Sequence, residues 1–216
     1  MTNWAKRWQT GMTGWHNETV NNNLKENVSI LFEKKDDPRI LVPLCGKSLD
    51  MHWLKEKGAS VLGIELVEKA VLDFFQEAEL KPLVTPKESF SSYQTTSIEI
   101  LNGDLFSIPT ENYTVDAIYD RASLVALPLD MRKRYAQFCL DILRPGGSIL
   151  LITYNTHLPS EQGPPHPVKE GIVPELYQNA SECILLRGYT DTPETSPGLV
   201  KRGLEWSSTA IWHIRK

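Results

Sequence analysis

Cysteine is scarce in this chain. Three residues in 216 (Cys45, Cys139 and Cys183) show no C-x-x-C spacing, which excludes a disulfide framework and a zinc ribbon and predicts reduced thiols. Long apolar runs are missing too: nothing approaches the roughly 20 residues that a membrane span needs. The opening MTNWAKRWQTGM lacks the apolar stretch of a signal peptide, so a cytoplasmic location is expected. Basic excess is absent as well, since 23 Lys and Arg face 27 Asp and Glu for a net charge of −4. That balance argues against nucleic acid or an anionic membrane as partner and favours a small molecule. Finally, no G-x-G-x-x-G run offers a cradle for a dinucleotide pyrophosphate.

What is present is ordinary globular composition, 41% hydrophobic and 23% charged, in a length that suits one domain. Short β-branched runs alternate with amphipathic stretches, the pattern of βαβ units around a parallel sheet. The expected strands are 39–44, 61–65, 98–101, 115–119, 148–153, 183–188 and 208–214. They predict an α/β, Rossmann-like, doubly wound sheet of seven mostly parallel strands with helices on both faces. Apolar residues at three- and four-residue spacing place helices around Leu24–Phe32, Val67–Ala78 and Met131–Leu143, the last stopped by Arg144-Pro145-Gly146-Gly147. A further helix should begin near Val173, with Pro174 in its first turn.

A single domain over 1–216 is expected to divide into an N-terminal lid and helix (1–37), a cofactor-binding core (38–153) and substrate-side and C-terminal strands (154–216). Residues 1–20 precede the sheet and hold three of the six tryptophans, Trp4, Trp8 and Trp15. Residues 81–97 read as a polar, proline-bearing insertion outside the alternation.

Ligands of open α/β sheets bind at the carboxyl ends of the strands. The first strand runs into Leu44-Cys45-Gly46-Lys47-Ser48-Leu49-Asp50, where Gly46 permits a tight turn and Ser48 or Asp50 can cap the next helix. The second ends in Glu65, nineteen residues beyond Gly46, near the offset at which an acid accepts the ribose hydroxyls of a nucleotide. The third leads to Gly103-Asp104, an acid placed for an adenine amino group. The fourth ends in Asp120-Arg121, facing the same crevice. Acids for ribose and adenine without a pyrophosphate grip suit S-adenosylmethionine as cofactor. Cys45 reads as a packing residue, because direct methyl transfer needs no covalent intermediate. His16 reads first as a local hydrogen-bonding residue of the N-terminal segment. No metal ligand set is visible.

These residues fall into runs that resemble the thiopurine S-methyltransferase family. The runs are Trp4-x-x-x-Trp8-x-x-Gly11-x-Thr13-Gly14-Trp15-His16, Val42 to Met51, Val61-Leu62-Gly63-Ile64-Glu65, Tyr119 to Pro128 and Gly163-Pro164-Pro165. The resemblance implies transfer of a methyl group from S-adenosylmethionine to the sulfur of a thiopurine or related aromatic thiol, by a monomeric enzyme. It implies that Trp8, the backbone of Leu44, Glu65, the Asp104-Leu105 turn and Arg121 line the cofactor site, with Arg121 and Asp120 as candidate catalytic residues. On the substrate side it implies Trp15, Pro165 and His166, where the family often has phenylalanine after the paired prolines, together with Arg202. Methyl transfer to another soft nucleophile (halide, sulfide, or a selenium or tellurium compound) is the alternative within the same fold. A non-catalytic nucleoside-binding module or an NAD-dependent dehydrogenase is the alternative outside it.

Overall fold

The computed structural model describes residues 2–159, 163–169 and 171–216. Its centre is one sheet of nine strands: β1 (Arg39–Pro43), β2 (Ser60–Glu65), β3 (Leu83–Pro86), β4 (Phe90–Gln94), β5 (Ile98–Gly103), β6 (Val115–Arg121), β7 (Leu143–Thr156), β8 (Glu182–Asp191) and β9 (Ser207–Arg215). Their order is β3-β4-β5-β2-β1-β6-β7-β9-β8. The stretch β5-β2-β1-β6-β7 is parallel throughout, and the strands added at either side are antiparallel. Seven strands were expected; there are nine.

The two extra strands come from residues 81–97, which form the β3–β4 hairpin rather than an irregular insertion. All four β3 residues are exposed, Leu83 by 69%. The strand is held by its backbone ladder, so it carries no apolar alternation to read. A second difference lies at the end of the long helix α5 (Leu129–Ile142). The strand β7 starts directly at Leu143, paired with Val115, and Arg144-Pro145-Gly146-Gly147 bulge out of its register with β6, which resumes at Ala117 opposite Ser148.

Side chains alternate across the parallel strands, as the two-residue period requires. Leu41, Leu62, Ile118 and Leu151 face α5 and the short α6 (Ile172–Leu176), packing with Tyr135, Phe138, Ile142 and Val173. Ile40, Val61, Ile100, Tyr119 and Ile152 face the other way, toward α2 (Asn22–Asn27), α3 (Leu49–Glu56) and α4 (Glu68–Glu77). The helix expected over Leu24–Phe32 is α2 followed by a 3-10 turn over Val28–Phe32. The first helix, α1 (Trp4–Gln9), begins where the Asn3 side chain accepts from the Lys6 N–H at 2.9 Å. A last short helix, α7 (Gly198–Lys201), precedes β9. Among the described residues no helix is long and apolar enough to cross a membrane, and no cluster of three His, Cys, Asp or Glu could hold a metal ion.

Candidate active site

The crossover strands deliver three loops to one end of the sheet, at the carboxyl ends of β1, β2 and β6. The β1 loop is held in left-handed backbone at Leu44 (φ 44°) and Gly46 (φ 53°). Side-chain bulk is also limited at 46, because a Cβ there would lie 3.0 Å from Cζ2 of Trp8. The loop then enters α3, with the Ser48 hydroxyl accepting from the Asp50 N–H at 3.3 Å.

Glu65 closes β2 and is 7% exposed. One oxygen accepts from the Gly46 N–H and the other from the Val67 N–H, both at 2.8 Å. Burial raises its pKa, and these amide bonds partly offset that. The acid expected from spacing alone therefore ties two strand-end loops together, with lone pairs left over for a further donor. Beside it, the Asn102 side chain of β5 donates to the Glu65 carbonyl at 2.9 Å.

Over these loops lies the N-terminal segment. Trp8 is 5% exposed and packs on Val67 and Ala70 at the start of α4. Trp4 and Trp15 flank it as an edge-to-face cluster, with Trp15 centred 5.3 Å from Trp4 and 5.9 Å from Trp8. The Arg7 guanidinium sits over both outer indoles. From the sheet, Arg121 donates to the Trp15 carbonyl at 3.2 Å. The segment is pinned at its far end by Asp50, a fully buried acid that spacing suggested only as a helix cap. One Asp50 oxygen accepts from the Asn21 N–H and the other from the Tyr119 hydroxyl, each at 2.9 Å.

Trp8, Trp15, Leu44 and Arg121 thus line a common crevice, together with Asp50 and Tyr119. Its cavity is about 30 Å³, far below the roughly 300–1,000 Å³ of ligand pockets. As it stands, the crevice is too small to hold a nucleoside. A roomier depression of about 880 Å³ lies at the amino ends of β1, β2 and β5, between the β3–β4 hairpin and the loop after β5. It holds none of the predicted site residues, and its Arg39 is paired with Glu99 at 3.0 Å.

Asp104 is exposed at the end of β5 and caps a 3-10 turn by accepting from the Phe106 N–H at 3.0 Å, with Leu105 buried behind it. Asp120 is on the opposite face of β6 from Arg121. It is fully buried, accepting from the Tyr135 hydroxyl at 2.7 Å and the Leu124 N–H at 3.4 Å. Burial pushes its carboxyl up to about 6. This geometry makes Asp120 a holder of the turn after Arg121 and removes it from the group that faces the crevice. Pro165 is exposed and His166 buried. The His166 ring fills the space over Gly163, where a Cβ would meet Nδ1 at 2.3 Å. Its carbonyl accepts from Arg132 at 2.8 Å, and the same guanidinium holds the carbonyls of Leu127 and Pro167 at 3.1 Å each. Arg202 donates to the Tyr154 hydroxyl at 2.9 Å and lies over that ring. None of these lines the closed crevice. Cys45 is buried against Gly63 with its thiol pushed up by burial and by Glu65, as a packing residue would be.

Solved structures of similar fold support the architecture. One is a 1,6-didemethyltoxoflavin-N1-methyltransferase of Burkholderia thailandensis with bound S-adenosylhomocysteine, at TM-score 0.63 and 16% identity, covering 98% of this chain and 84% of that one. Another is the N-methyltransferase NodS of Bradyrhizobium japonicum in complex with S-adenosylhomocysteine, at TM-score 0.65 and 12% identity, covering 100% and 99%. These likenesses establish the fold, an open α/β sheet with its crevice at the strand ends.

The family narrows further. Thiopurine S-methyltransferase (TPMT) matches across residues 1–216. A relative named thiopurine S-methyltransferase from Legionella pneumophila (strain Corby) is 40% identical over 214 residues, covering 99% of this chain and 96% of the relative. One of the same name from Vibrio cholerae is 40% identical over 217 residues with the same coverages. The chain belongs to the thiopurine S-methyltransferase family.

Proposed function

We propose that the chain transfers the methyl group of S-adenosylmethionine to the sulfur of thiopurines and related aromatic or heterocyclic thiols. The observation that carries this reading is the crevice wall itself. A glycine with little room for a Cβ and an indole stand together on one side, the buried acid Glu65 holds that glycine's N–H from behind, and an arginine and a second indole complete the wall. Glu65 fits the ribose diol, the Asp104-Leu105 turn fits the adenine, and Gly46 lets the chain approach the donor closely. Trp8 offers an indole face to a cation, an attraction of about 0.5–2 kcal/mol. When bound, S-adenosylmethionine supplies an electrophilic methyl group next to a positive sulfur.

The rest falls to the chain's own residues. Trp15 offers an aromatic face on which a flat acceptor can stack. Arg121, held at the mouth by the Trp15 carbonyl, places positive charge where a thiolate would approach. Closure of residues 1–20 over the crevice excludes water and holds the acceptor sulfur in line with the methyl carbon, an orientation on which much of the rate depends. His166 and Arg202, in segments that border the carboxyl edge, are proposed to shape acceptor preference.

A methyl-transfer assay over a panel of acceptors tests the reading: 6-mercaptopurine, thiophenol, selenite and iodide, each with S-adenosylmethionine. Turnover with the two sulfur acceptors far above the others is expected. Preference for selenite or iodide would overturn the thiol assignment, and transfer to none of them would overturn the S-methyltransferase reading.

A further inference from the structure

The crevice wall holds six groups able to carry a proton: His16, Cys45, Lys47, Asp50, Tyr119 and Arg121. Five are committed elsewhere. The Cys45 thiol is buried beside Glu65. Lys47 pairs with Glu77. Both Asp50 oxygens are engaged, by the Asn21 N–H and the Tyr119 hydroxyl. Tyr119 donates to Asp50 and is held protonated, chiefly by burial and then by that acid. The Arg121 guanidinium offers donors and no acceptor. Of the nearby acids outside the wall, Glu65 is held by the Gly46 and Val67 N–H groups, and Asp120 is turned to the far face of β6.

His16 remains. Its backbone N–H donates to the Thr13 carbonyl at 2.8 Å, which turns the chain so that His16 follows Trp15 onto the crevice wall. The charged groups around the ring are Lys47 from the β1 loop, Glu77 from α4, Arg121 from β6 and Glu18 from its own segment. Burial, then Lys47 and Arg121, lower its pKa below the usual 6.5, against a partial offset from the two carboxylates. At neutral pH the imidazole is therefore uncharged and has one nitrogen free to accept.

We propose that His16 is the general base of the methyl transfer, taking the proton from acceptors that arrive as neutral thiols. This rests on the S-methyltransferase reading above. The S–H bond breaks and its proton goes to an imidazole nitrogen. The sulfur electron pair then forms the new S–C bond to the methyl carbon. The old bond from that carbon to the donor's sulfonium breaks, its electrons neutralising the donor sulfur, and His16 returns the proton to water. Because His16 belongs to the segment that covers the crevice, closure brings the base to the acceptor.

The test uses the full chain with saturating S-adenosylmethionine and acceptors ranging from electron-poor arylthiols, already ionised at pH 7, to alkyl thiols that are not. His16→Gln should lower kcat about 100-fold on the alkyl thiols, the scale of a positioned base, with the loss shrinking as acceptor acidity rises. For alkyl thiols the wild-type rate should fall as pH drops through an inflection below 6.5, and that inflection should vanish in His16→Gln. Added imidazole should restore part of the lost rate, there and in His16→Asn. An equal loss on every acceptor, or an inflection that survives the substitution, would overturn the proposal. A wild-type protein that methylates no thiol at all would overturn the S-methyltransferase reading first, before any variant is made.

Discussion

The indole of Trp8 stands directly on Gly46, so close that one added methyl group at position 46 would lie 3.0 Å from Cζ2. The contact joins a residue of the N-terminal segment to the loop at the end of the first strand, and it decides how tightly that segment can close.

Gly46→Ala acts on this contact in two ways. It places a side chain in left-handed backbone, a cost of about 1–2 kcal/mol, and it pushes the indole outward by a few tenths of an ångström. The melting temperature should fall by roughly 2–8 °C in a chain of this size, and S-adenosylhomocysteine should bind more weakly. Trp8→Phe in the same background removes the outer ring and should recover part of the lost stability, measured by thermal unfolding. No recovery would show that Trp8 does not press on position 46.

Glu65 carries two loads. Glu65→Ala strips the partner from the N–H groups of Gly46 and Val67, each worth about 1–3 kcal/mol if left buried and unsatisfied. Thermal unfolding of the ligand-free protein should therefore show a clear drop, beyond what loss of a ligand contact alone would cause. Calorimetry should show affinity for S-adenosylhomocysteine falling at least tenfold, from charged hydrogen bonds of about 1.5–3 kcal/mol. An unchanged affinity would take Glu65 out of the cofactor site, and an unchanged melting temperature would deny its role between the loops.

Asp120 gives the stability a pH signature. Its folded pKa of about 6 stands above the ordinary 3.8 because the carboxylate is buried. The native state therefore holds a proton that the unfolded chain releases first. The stability this contributes is complete below pH 3.8 and is lost as pH rises through about 6, of order 3 kcal/mol. Asp120→Asn, whose amide oxygen can accept from the Leu124 N–H while its amide N–H donates to the Tyr135 hydroxyl oxygen, should remove this slope. Urea unfolding of both proteins from pH 4 to pH 7 measures the difference. Parallel curves would contradict the account. Methyl transfer by the variant should persist, since the group faces away from the crevice.

The parallel strands were legible because each buries both faces and so reads as a short apolar run, and strand ends in such sheets are where polar residues meet a ligand. Gly46, Glu65 and Arg121 are singled out by that rule, and Leu44 by the family resemblance. The β3–β4 hairpin was not legible, since its outer strand buries nothing and is held by backbone bonds that any sequence can make. Asp50 was legible only as a cap: its partners, Asn21 and Tyr119, are 29 and 69 residues away. Arg132 sits in a charged run of α5, Arg132-Lys133-Arg134, yet it is 1% exposed and clasps three carbonyls. Asp120 and Arg121 are adjacent in sequence, and only the side-to-side alternation of β6 separates their roles.

On the proposed reading, an adenosyl cofactor binds at the carboxyl ends of β1 and β2, beneath residues 1–20. Amide hydrogen exchange with and without S-adenosylhomocysteine tests it most directly. Protection should concentrate in residues 4–16, 44–50 and 65–67, and should be greater there than in the strands behind them. Protection centred instead on the depression at the amino ends of the strands, around Arg39, Thr95 and Tyr113, or no protection at saturating ligand, would contradict it.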